Sequence, residues 1–249
     1  MKQLKNEIFV CLDFESTGLD VENDRIIEVA IVKFTLNEIL EEYTTLIDPE
    51  ISIPQNSIDI HNISQEMTSG KPKIKEILPK ILSFIEGYIL MGHGINFDID
   101  LLKNESNRNL LVFDTNKVKY IDTLRLARLY GKSQINSLKH LSKHFNIEFD
   151  GAHRALNDVY ANIEVFKKLI LNYSKAEEIL TRLQKPILLK QMPLGKHKNR
   201  PFGEIPIEYL KWASSKDFDI DLSYSIRHEI NKRKNILSFE RASNPFSGL

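Results

Sequence analysis

The pattern of apolar and polar positions predicts three strands in the first part of the chain. Residues 8–12, 26–34 and 43–47 are rich in β-branched and apolar side chains, and turn-forming residues follow each stretch. Runs of this length and composition are typical of buried strands. Because the connections between them are short, we expect them to pair as antiparallel hairpins.

The rest of the pattern alternates between helices and strands. Apolar residues recur at helical spacing over 72–85, where Pro79 predicts a kink or a break. A strand at 88–91, a helix that begins at Asn96 and a strand at 119–121 follow. Three helices then span 123–130, 137–145 and 155–173. This order predicts an α/β fold with a mixed sheet flanked by helices, whose crossovers produce its parallel part.

The length of 249 residues suits one large domain with a small appendage. Residues 185–200 are basic, contain two prolines and include no acidic residue, and residues 235–249 show no apolar period. We therefore expect a main domain at 5–175, a linker at 176–191, a small basic module at 192–234 and a tail at 235–249.

Composition excludes several classes of protein. One cysteine permits no intramolecular disulfide, and 42% hydrophobic with 27% charged residues is typical of a globular protein. No apolar run approaches the roughly 20 residues that span a bilayer, and none near the start suits a signal peptide. We expect a cytoplasmic protein without membrane contact.

The net charge of zero conceals an asymmetry between the two ends of the chain. From Lys175 onward, the chain has 14 Lys and Arg residues and 9 Asp and Glu residues. The preceding part has 20 Lys and Arg residues and 25 Asp and Glu residues. The two parts therefore carry +5 and −5. Such asymmetry indicates a nucleic-acid partner as a class to test.

Two carboxylates at the end of the first predicted strand are candidate metal ligands. Asp13 and Glu15 lie two residues apart, so a strand places both on one face. Burying like charges together is costly, and hard divalent cations such as magnesium or manganese compensate for it. The alternative is that the strand has ended and that water solvates both side chains.

Two further acidic positions follow later elements. Asp98 comes after a strand and the turn at 92–95, where it is either part of a site at the sheet edge or a helix-terminal residue. His153 precedes the helix whose first turns carry Asp158. A loop histidine suits general-base chemistry at neutral pH, although an isolated one is more often a surface residue.

Together, these motifs resemble those of the DEDDh 3′–5′ exonucleases. The segments Asp13-Phe14-Glu15, 93–98 (HGINFD) and 153–158 (HRALND) match the family in type and order, over about residues 5–175. One departure is Gly94, where many members have asparagine. The resemblance implies a ribonuclease-H-like fold and hydrolysis of single-stranded or frayed DNA 3′ ends to nucleoside 5′-monophosphates.

The same resemblance assigns roles to individual residues. Two Mg²⁺ or Mn²⁺ ions would bind at the four carboxylates, and His153 would accept the proton of the attacking water. The metal ligands would be Asp13, Glu15, Asp98 and Asp158. Substrate contacts would come from Asp13, Glu15, Asp158, His61 and Asn56, the last standing where some relatives have glutamate. Asp122 is interpreted as a helix cap or an acceptor behind the site, and Cys11 as a core residue.

The C-terminal module resembles that of exodeoxyribonuclease X. Its basic segment, 192–202, precedes Tyr209 and Trp212. Asn199 stands where glycine is usual, and asparagine tolerates the left-handed backbone that a tight turn needs. Clustered cations predict single-strand contacts. The candidates are Lys196, Lys198 and Arg200. We assign Trp212 to the small core of the module.

The chain as a whole resembles chlamydial-type epsilon subunits, the proofreading nucleases of bacterial DNA polymerase III. This resemblance implies association with the polymerase catalytic subunit. Three alternatives stay open: a stand-alone repair nuclease like exodeoxyribonuclease X, an RNA 3′-trimming nuclease, and a non-catalytic polymerase-binding subunit.

Overall fold

The computed structural model of the chain describes residues 3–133, 135–148 and 154–243, with side chains as far as residue 235. Contacts between residues divide the chain into two units, Met1–Gln184 and Lys185–Leu249, called here the N-terminal and the C-terminal unit. Within the described ranges, no helix is both long enough and apolar enough to cross a membrane.

A five-stranded mixed sheet forms the centre of the N-terminal unit. Its strands are β1 (Phe9–Ser16), β2 (Ile26–Phe34), β3 (Ile39–Leu46), β4 (Ile89–Gly92) and β5 (Tyr120–Asp122). They lie in the order β3-β2-β1-β4-β5. The three N-terminal strands pair antiparallel, whereas β4 pairs parallel with both β1 and β5. The predicted α/β class with a mixed sheet is confirmed.

Eight helices are described in the N-terminal unit: α1 (Gln55–His61), α2 (Gln65–Thr68), α3 (Ile74–Ile85), α4 (Asn96–Arg108), α5 (Thr123–Tyr130), α6 (Leu138–Phe145), α7 (Ala155–Leu169) and α8 (Ala176–Leu183). The sequence pattern misses α1 and α2, which are too short to show a helical period. The helix α3 continues through Pro79 without ending there. The helix α8 occupies the first half of the predicted linker and belongs to the N-terminal unit.

Alternation along β1 divides the core into two layers. Phe9 and Cys11 join a cluster with side chains of α5, α6, α7 and α8, whereas Val10 and Leu12 join a cluster with side chains of α3 and α4. Because successive strand residues point to opposite faces, both faces of β1 are covered by helices. The same alternation directs Asp13 and Glu15 to the face on which α7 packs.

The C-terminal unit has a small core of its own. Its helices are α9 (Ile207–Ala213) and α10 (Ile220–Ser243), and their buried side chains pack with Met192, Phe202 and Ile205. The helix α10 continues through the first part of the segment that the sequence predicts as a tail. The assignment of Trp212 to this core is wrong, because the residue is 52% exposed and does not join the cluster.

Candidate active site

The site lies where β1 extends beyond its parallel neighbour. The pairing of β1 with β4 stops at Cys11 and Met91, although β1 continues to Ser16. The Phe14 N–H on this edge donates instead to Oδ1 of Asp98, at 3.0 Å. Asp98 lies in the first turn of α4 and is buried. Because the pairing with β4 stops, this edge of β1 has no strand beside it after Cys11, and the Asp98 carboxylate takes the place of a strand as hydrogen-bond acceptor.

Three carboxylates from two distant segments meet at this edge. Asp13 and Glu15 come from β1, and Asp158 comes from the first turn of α7. One carboxylate oxygen from each lies within 4.8 Å of the others. Asp98 does not belong to this set of three, but its charge acts on Asp13. The structure thus brings the four predicted metal ligands to one edge of the sheet, and carboxylate oxygens of three of them lie within 4.8 Å of one another.

Burial and mutual repulsion raise the pKa values of these acids. Burial is the main cause for Asp13, whose pKa lies well above its ordinary value, and Asp98 and Asp158 raise it further. Burial also raises the pKa of Glu15 to about 7, with added repulsion from Asp158 and Glu28. The pKa of Asp98 rises to about 8, again mainly through burial, although the Phe14 N–H opposes the shift.

This donor set fits hard divalent cations. Carboxylate oxygens are the ligands that magnesium and manganese favour in proteins. The raised pKa values of Asp13, Glu15 and Asp98 indicate that the protein supplies too little positive charge to balance the cluster. Bound divalent cations would supply that charge and keep the carboxylates ionised at neutral pH.

An ion pair that the sequence analysis missed lies beside the cluster. Glu28 of β2 stands opposite Glu15 in the β1–β2 ladder and is buried. Its carboxylate accepts from Nε and Nη2 of Arg154, the latter at 2.7 Å, and from the Ala155 N–H at 3.0 Å. We call this contact the Glu28–Arg154 clamp. It fixes the start of α7, one turn before Asp158. A lone glutamate inside an apolar strand was the signal in the sequence.

Asp122 stabilises the turn between β4 and α4 through hydrogen bonds. The Gly94 N–H donates to Oδ1 of Asp122 at 3.0 Å, and the same oxygen accepts from the Leu124 N–H at the start of α5. The interpretation of Asp122 as a cap and acceptor is confirmed. Gly94 has a φ of 81°, a backbone conformation that favours glycine. The turn thereby holds α4, which carries Asp98, against the edge of β1.

The histidine of the second motif has a structural role. His93 is enclosed between the Thr123 hydroxyl, 3.0 Å from Nδ1, and the Asn136 carbonyl, 2.8 Å from Nε2. Burial lowers its pKa to about 4, so it is neutral at physiological pH. His153, the predicted proton acceptor, lies outside the described residues, and its role stays a prediction.

The predicted substrate contacts His61 and Asn56 both belong to α1. His61 is buried, and its Nδ1 accepts from the Ile63 N–H at 3.0 Å, whereas Asn56 is exposed. Ser57 donates to the Thr17 carbonyl at 2.7 Å, just beyond the end of β1. The helix is therefore joined to the segment that follows Glu15. Whether His61 and Asn56 contact substrate stays a prediction.

Comparison with protein families identifies this arrangement. A family model described as exonuclease matches residues 10–166, which include Asp13, Glu15, Asp98 and Asp158. The chain belongs to the exonuclease family. This confirms the family resemblance inferred from the three motifs. A second family model, whose description refers to a quorum-sensing-regulated virulence factor, matches residues 179–221.

Several relatives in the exonuclease family carry polymerase names. DNA polymerase III subunit epsilon of Treponema pallidum (strain Nichols) is 32% identical over 187 residues, which cover 73% of this chain and 86% of that protein. The PolC-type DNA polymerase III of Clostridium perfringens is 35% identical over 161 residues, 64% of this chain. The match spans only 11% of the PolC-type protein's length.

Solved exonuclease structures share the fold. Escherichia coli exonuclease I in complex with a dA16 oligonucleotide superposes with a TM-score of 0.61 and 20% identity, over 72% of this chain and 43% of that one. Exonuclease X in complex with 5′-overhanging duplex DNA gives a TM-score of 0.55 and 23% identity, over 70% of this chain and 98% of that one. The predicted ribonuclease-H-like fold is confirmed.

Proposed function

We propose that this chain is a metal-dependent 3′–5′ exonuclease that removes nucleoside 5′-monophosphates from DNA 3′ ends. The observation that carries the proposal is the convergence of Asp13, Glu15 and Asp158, whose oxygens lie within 4.8 Å of one another. Membership of the exonuclease family supports it. Relatives named as polymerase III subunits and a fold shared with DNA-bound exonucleases support DNA as the substrate.

In this proposal, Asp13, Glu15, Asp98 and Asp158 would hold two Mg²⁺ or Mn²⁺ ions. When bound, such ions would supply Lewis-acid polarisation of the phosphate and positive charge beside the leaving oxygen. The carboxylates on β1 also position the terminal nucleotide, aided by His61 and Asn56. His153 accepts a proton from the water that attacks the terminal phosphorus. The bond to the 3′ oxygen of the neighbouring nucleotide breaks, and that oxygen takes a proton from solvent, which leaves a shortened strand with a 3′-hydroxyl and a nucleoside 5′-monophosphate.

The test is degradation of a 5′-labelled single-stranded oligonucleotide with Mg²⁺ or Mn²⁺. We expect a ladder that shortens from the 3′ end. Asp158→Asn and His153→Ala should each lower the rate at least about 100-fold, because the first removes a charged ligand and the second a general base. The matched control is Glu164→Gln on the same helix, which alters only the Glu164–Lys167 ion pair near the surface. Full activity in Asp158→Asn would contradict the proposal.

We propose further that the chain proofreads as an epsilon-type subunit of DNA polymerase III. The match to the Treponema pallidum subunit over 86% of its length supports this role. Co-purification with the polymerase catalytic subunit, and faster removal of a mismatched than of a paired 3′ nucleotide in that complex, are the expected results. Activity without any binding to the polymerase would favour a stand-alone repair nuclease.

DNA is the substrate that we propose, and RNA is the competitor to exclude. Equal concentrations of labelled DNA and RNA strands of one sequence should compete for the enzyme, with DNA consumed first. Preferred consumption of RNA would favour an RNA-trimming nuclease. Failure to degrade either strand with manganese would leave only the non-catalytic polymerase-binding subunit.

A further inference from the structure

The C-terminal unit presents its cations on a loop with a fixed backbone. The ends of residues 192–200 are joined by two hydrogen bonds, from the Met192 N–H to the Arg200 carbonyl and from the Asn199 N–H to the Met192 carbonyl. Asn199 adopts a φ of 66°, which confirms that asparagine supports the left-handed turn here. Three cations of this closed loop are exposed: Lys196, Lys198 and Arg200.

Tyr209 connects this loop to an exposed indole ring. The His197 ring packs edge-on against Tyr209 with centroids 4.5 Å apart, and Tyr209 lies 5.2 Å from Trp212. At Gly195, which has a φ of 72°, a Cβ atom would come within 3.0 Å of the Tyr209 hydroxyl. The loop thus requires glycine to approach Tyr209, one helical turn from Trp212.

The indole ring is exposed on a well-supported helix. Neighbouring Leu210 and Ala213 are buried in the core of the unit, whereas Trp212 is 52% exposed. The Lys216 ammonium lies 5.2 Å from its ring centroid. Tryptophan is enriched at interfaces, because its ring offers a large apolar face and its N–H offers a hydrogen-bond donor.

The charge around the ring favours an anionic partner. Between residues 195 and 217, the chain has five Lys and Arg residues and three acidic residues, Glu204, Glu208 and Asp217. Glu208 lies one turn before Trp212 on α9, so the acidic side chains are few but present. Cations beside an exposed aromatic ring match a partner that offers both phosphates and flat apolar rings.

We propose that Lys196, Lys198, Arg200, Trp212 and Lys216 form a binding surface for single-stranded nucleic acid. The cations pair with successive phosphates, and an unpaired base stacks on Trp212. The bases of a duplex are already stacked on one another, so a duplex offers the ring no such partner. The proposal does not depend on hydrolysis, because binding requires no metal and none of the carboxylates of the candidate active site.

Trp212 is the chain's one tryptophan, so its fluorescence reports on this surface. The full chain, in EDTA to prevent hydrolysis, is titrated with single-stranded oligo(dT) or oligo(U) of about 15 nucleotides. We expect both strands to quench the emission, because stacking is sequence-tolerant. Affinity should fall as salt rises, since released counterions drive phosphate binding.

Matched charge variants test the cations. The triple variant Lys196→Gln, Lys198→Gln, Arg200→Gln should weaken binding at least tenfold and reduce the log–log salt slope by about 2, or about 0.7 per lost phosphate contact. The control variant neutralises three exposed lysines of the N-terminal unit, Lys5, Lys71 and Lys75, and should bind as the unchanged chain does. An unchanged emission maximum and Tm will show that the triple variant remains folded.

The ring itself is tested with a labelled strand, whose anisotropy needs no tryptophan. Trp212→Phe keeps an aromatic face and should retain most of the affinity. Trp212→Ala should bind about tenfold more weakly, which corresponds to the loss of one stacked base.

Absence of quenching would overturn the proposal. Equal quenching by duplex DNA or by polyglutamate would do the same, because it would indicate a general anion or acidic-protein surface. Equal affinity of Trp212→Ala and Trp212→Phe would exclude stacking.

Discussion

Asp13 is a residue at which burial and charge conflict. It is half-buried in the second half of β1, and its carboxylate faces the charges of Asp98, Asp158 and Glu15. A protein can relieve such a conflict by protonation or by binding a cation. Which of the two prevails depends on pH and on metal, so the stability of the fold should depend on both.

Without metal, the protein should lose stability as the pH rises. The pKa values of Glu15 and Asp98 are about 7 and about 8 in the folded state, against roughly 4 in an unfolded chain. The folded state therefore binds these protons more tightly. Their stabilising contribution is complete below about pH 4 and is lost as the pH rises through 7 and 8. In EDTA, the Tm should fall by at least about 4 °C between pH 5 and pH 8.5.

Metal and mutation provide the controls for this pH dependence. Mg²⁺ or Mn²⁺ should raise the Tm strongly at pH 8 and little at pH 5, where protons occupy the same oxygens. The double variant Asp13→Asn, Glu15→Gln should show a flatter Tm profile in EDTA. An equally steep decline in that variant would mean that other groups cause it.

At the scale of elements, the Glu28–Arg154 clamp joins the second strand to the helix that carries Asp158. Its carboxylate receives two guanidinium N–H groups and the Ala155 N–H. Removing the charge should leave the fold intact and loosen the start of α7. We expect Glu28→Gln to lower kcat about 10- to 100-fold and to raise the metal concentration needed for half-maximal activity, as is usual for residues behind a metal site.

The same strand offers a control for this effect. Lys33 of β2 and Glu41 of β3 form an ion pair at 3.0 Å, and the Glu41 side chain is exposed. Glu41→Gln should change neither kcat nor the metal requirement, because exposed ion pairs contribute little. If Glu28→Gln lowered stability but left the metal requirement unchanged, the clamp would be a structural contact alone.

The elements themselves were largely predictable from the sequence, because buried strands and long helices have clear apolar periods. Helix α5 has the predicted bounds, and the sheet has the predicted strands. Side-chain partners had no such period. Glu28 stands out as a glutamate in an apolar strand, but the sequence does not reveal that Arg154 is its partner. Trp212 has helical spacing that suits either a core or a surface. Only the three-dimensional contacts distinguish these cases.

At the scale of the whole molecule, each unit has a hydrophobic core of its own. We therefore expect two unfolding transitions. Trp212 lies in the C-terminal unit, so its fluorescence should follow the unfolding of that unit alone. Far-ultraviolet circular dichroism follows both units. Mg²⁺ should raise the N-terminal transition and leave the fluorescence transition unchanged.

Single-stranded oligonucleotide in EDTA provides the converse measurement. If the C-terminal unit binds the strand, the fluorescence transition should move to higher temperature. A fluorescence transition that follows metal instead would show that the two units unfold together. The sequence indicated this organisation through its N-terminal part of charge −5 and its C-terminal part of charge +5, but a charge count does not reveal which cations stand beside an aromatic ring.

Because the clustered carboxylates come from β1 and α7, the cluster can form only late in the synthesis of the chain. Asp13 and Glu15 leave the ribosome early, whereas Asp158 follows only after the whole sheet has been translated. Until α7 packs on β1, the face that carries Phe9 and Cys11 lacks its cover, and the carboxylate cluster is incomplete. Nascent chains and copies that terminate before α7 should therefore lack nuclease activity, which should begin only when α7 has packed on β1.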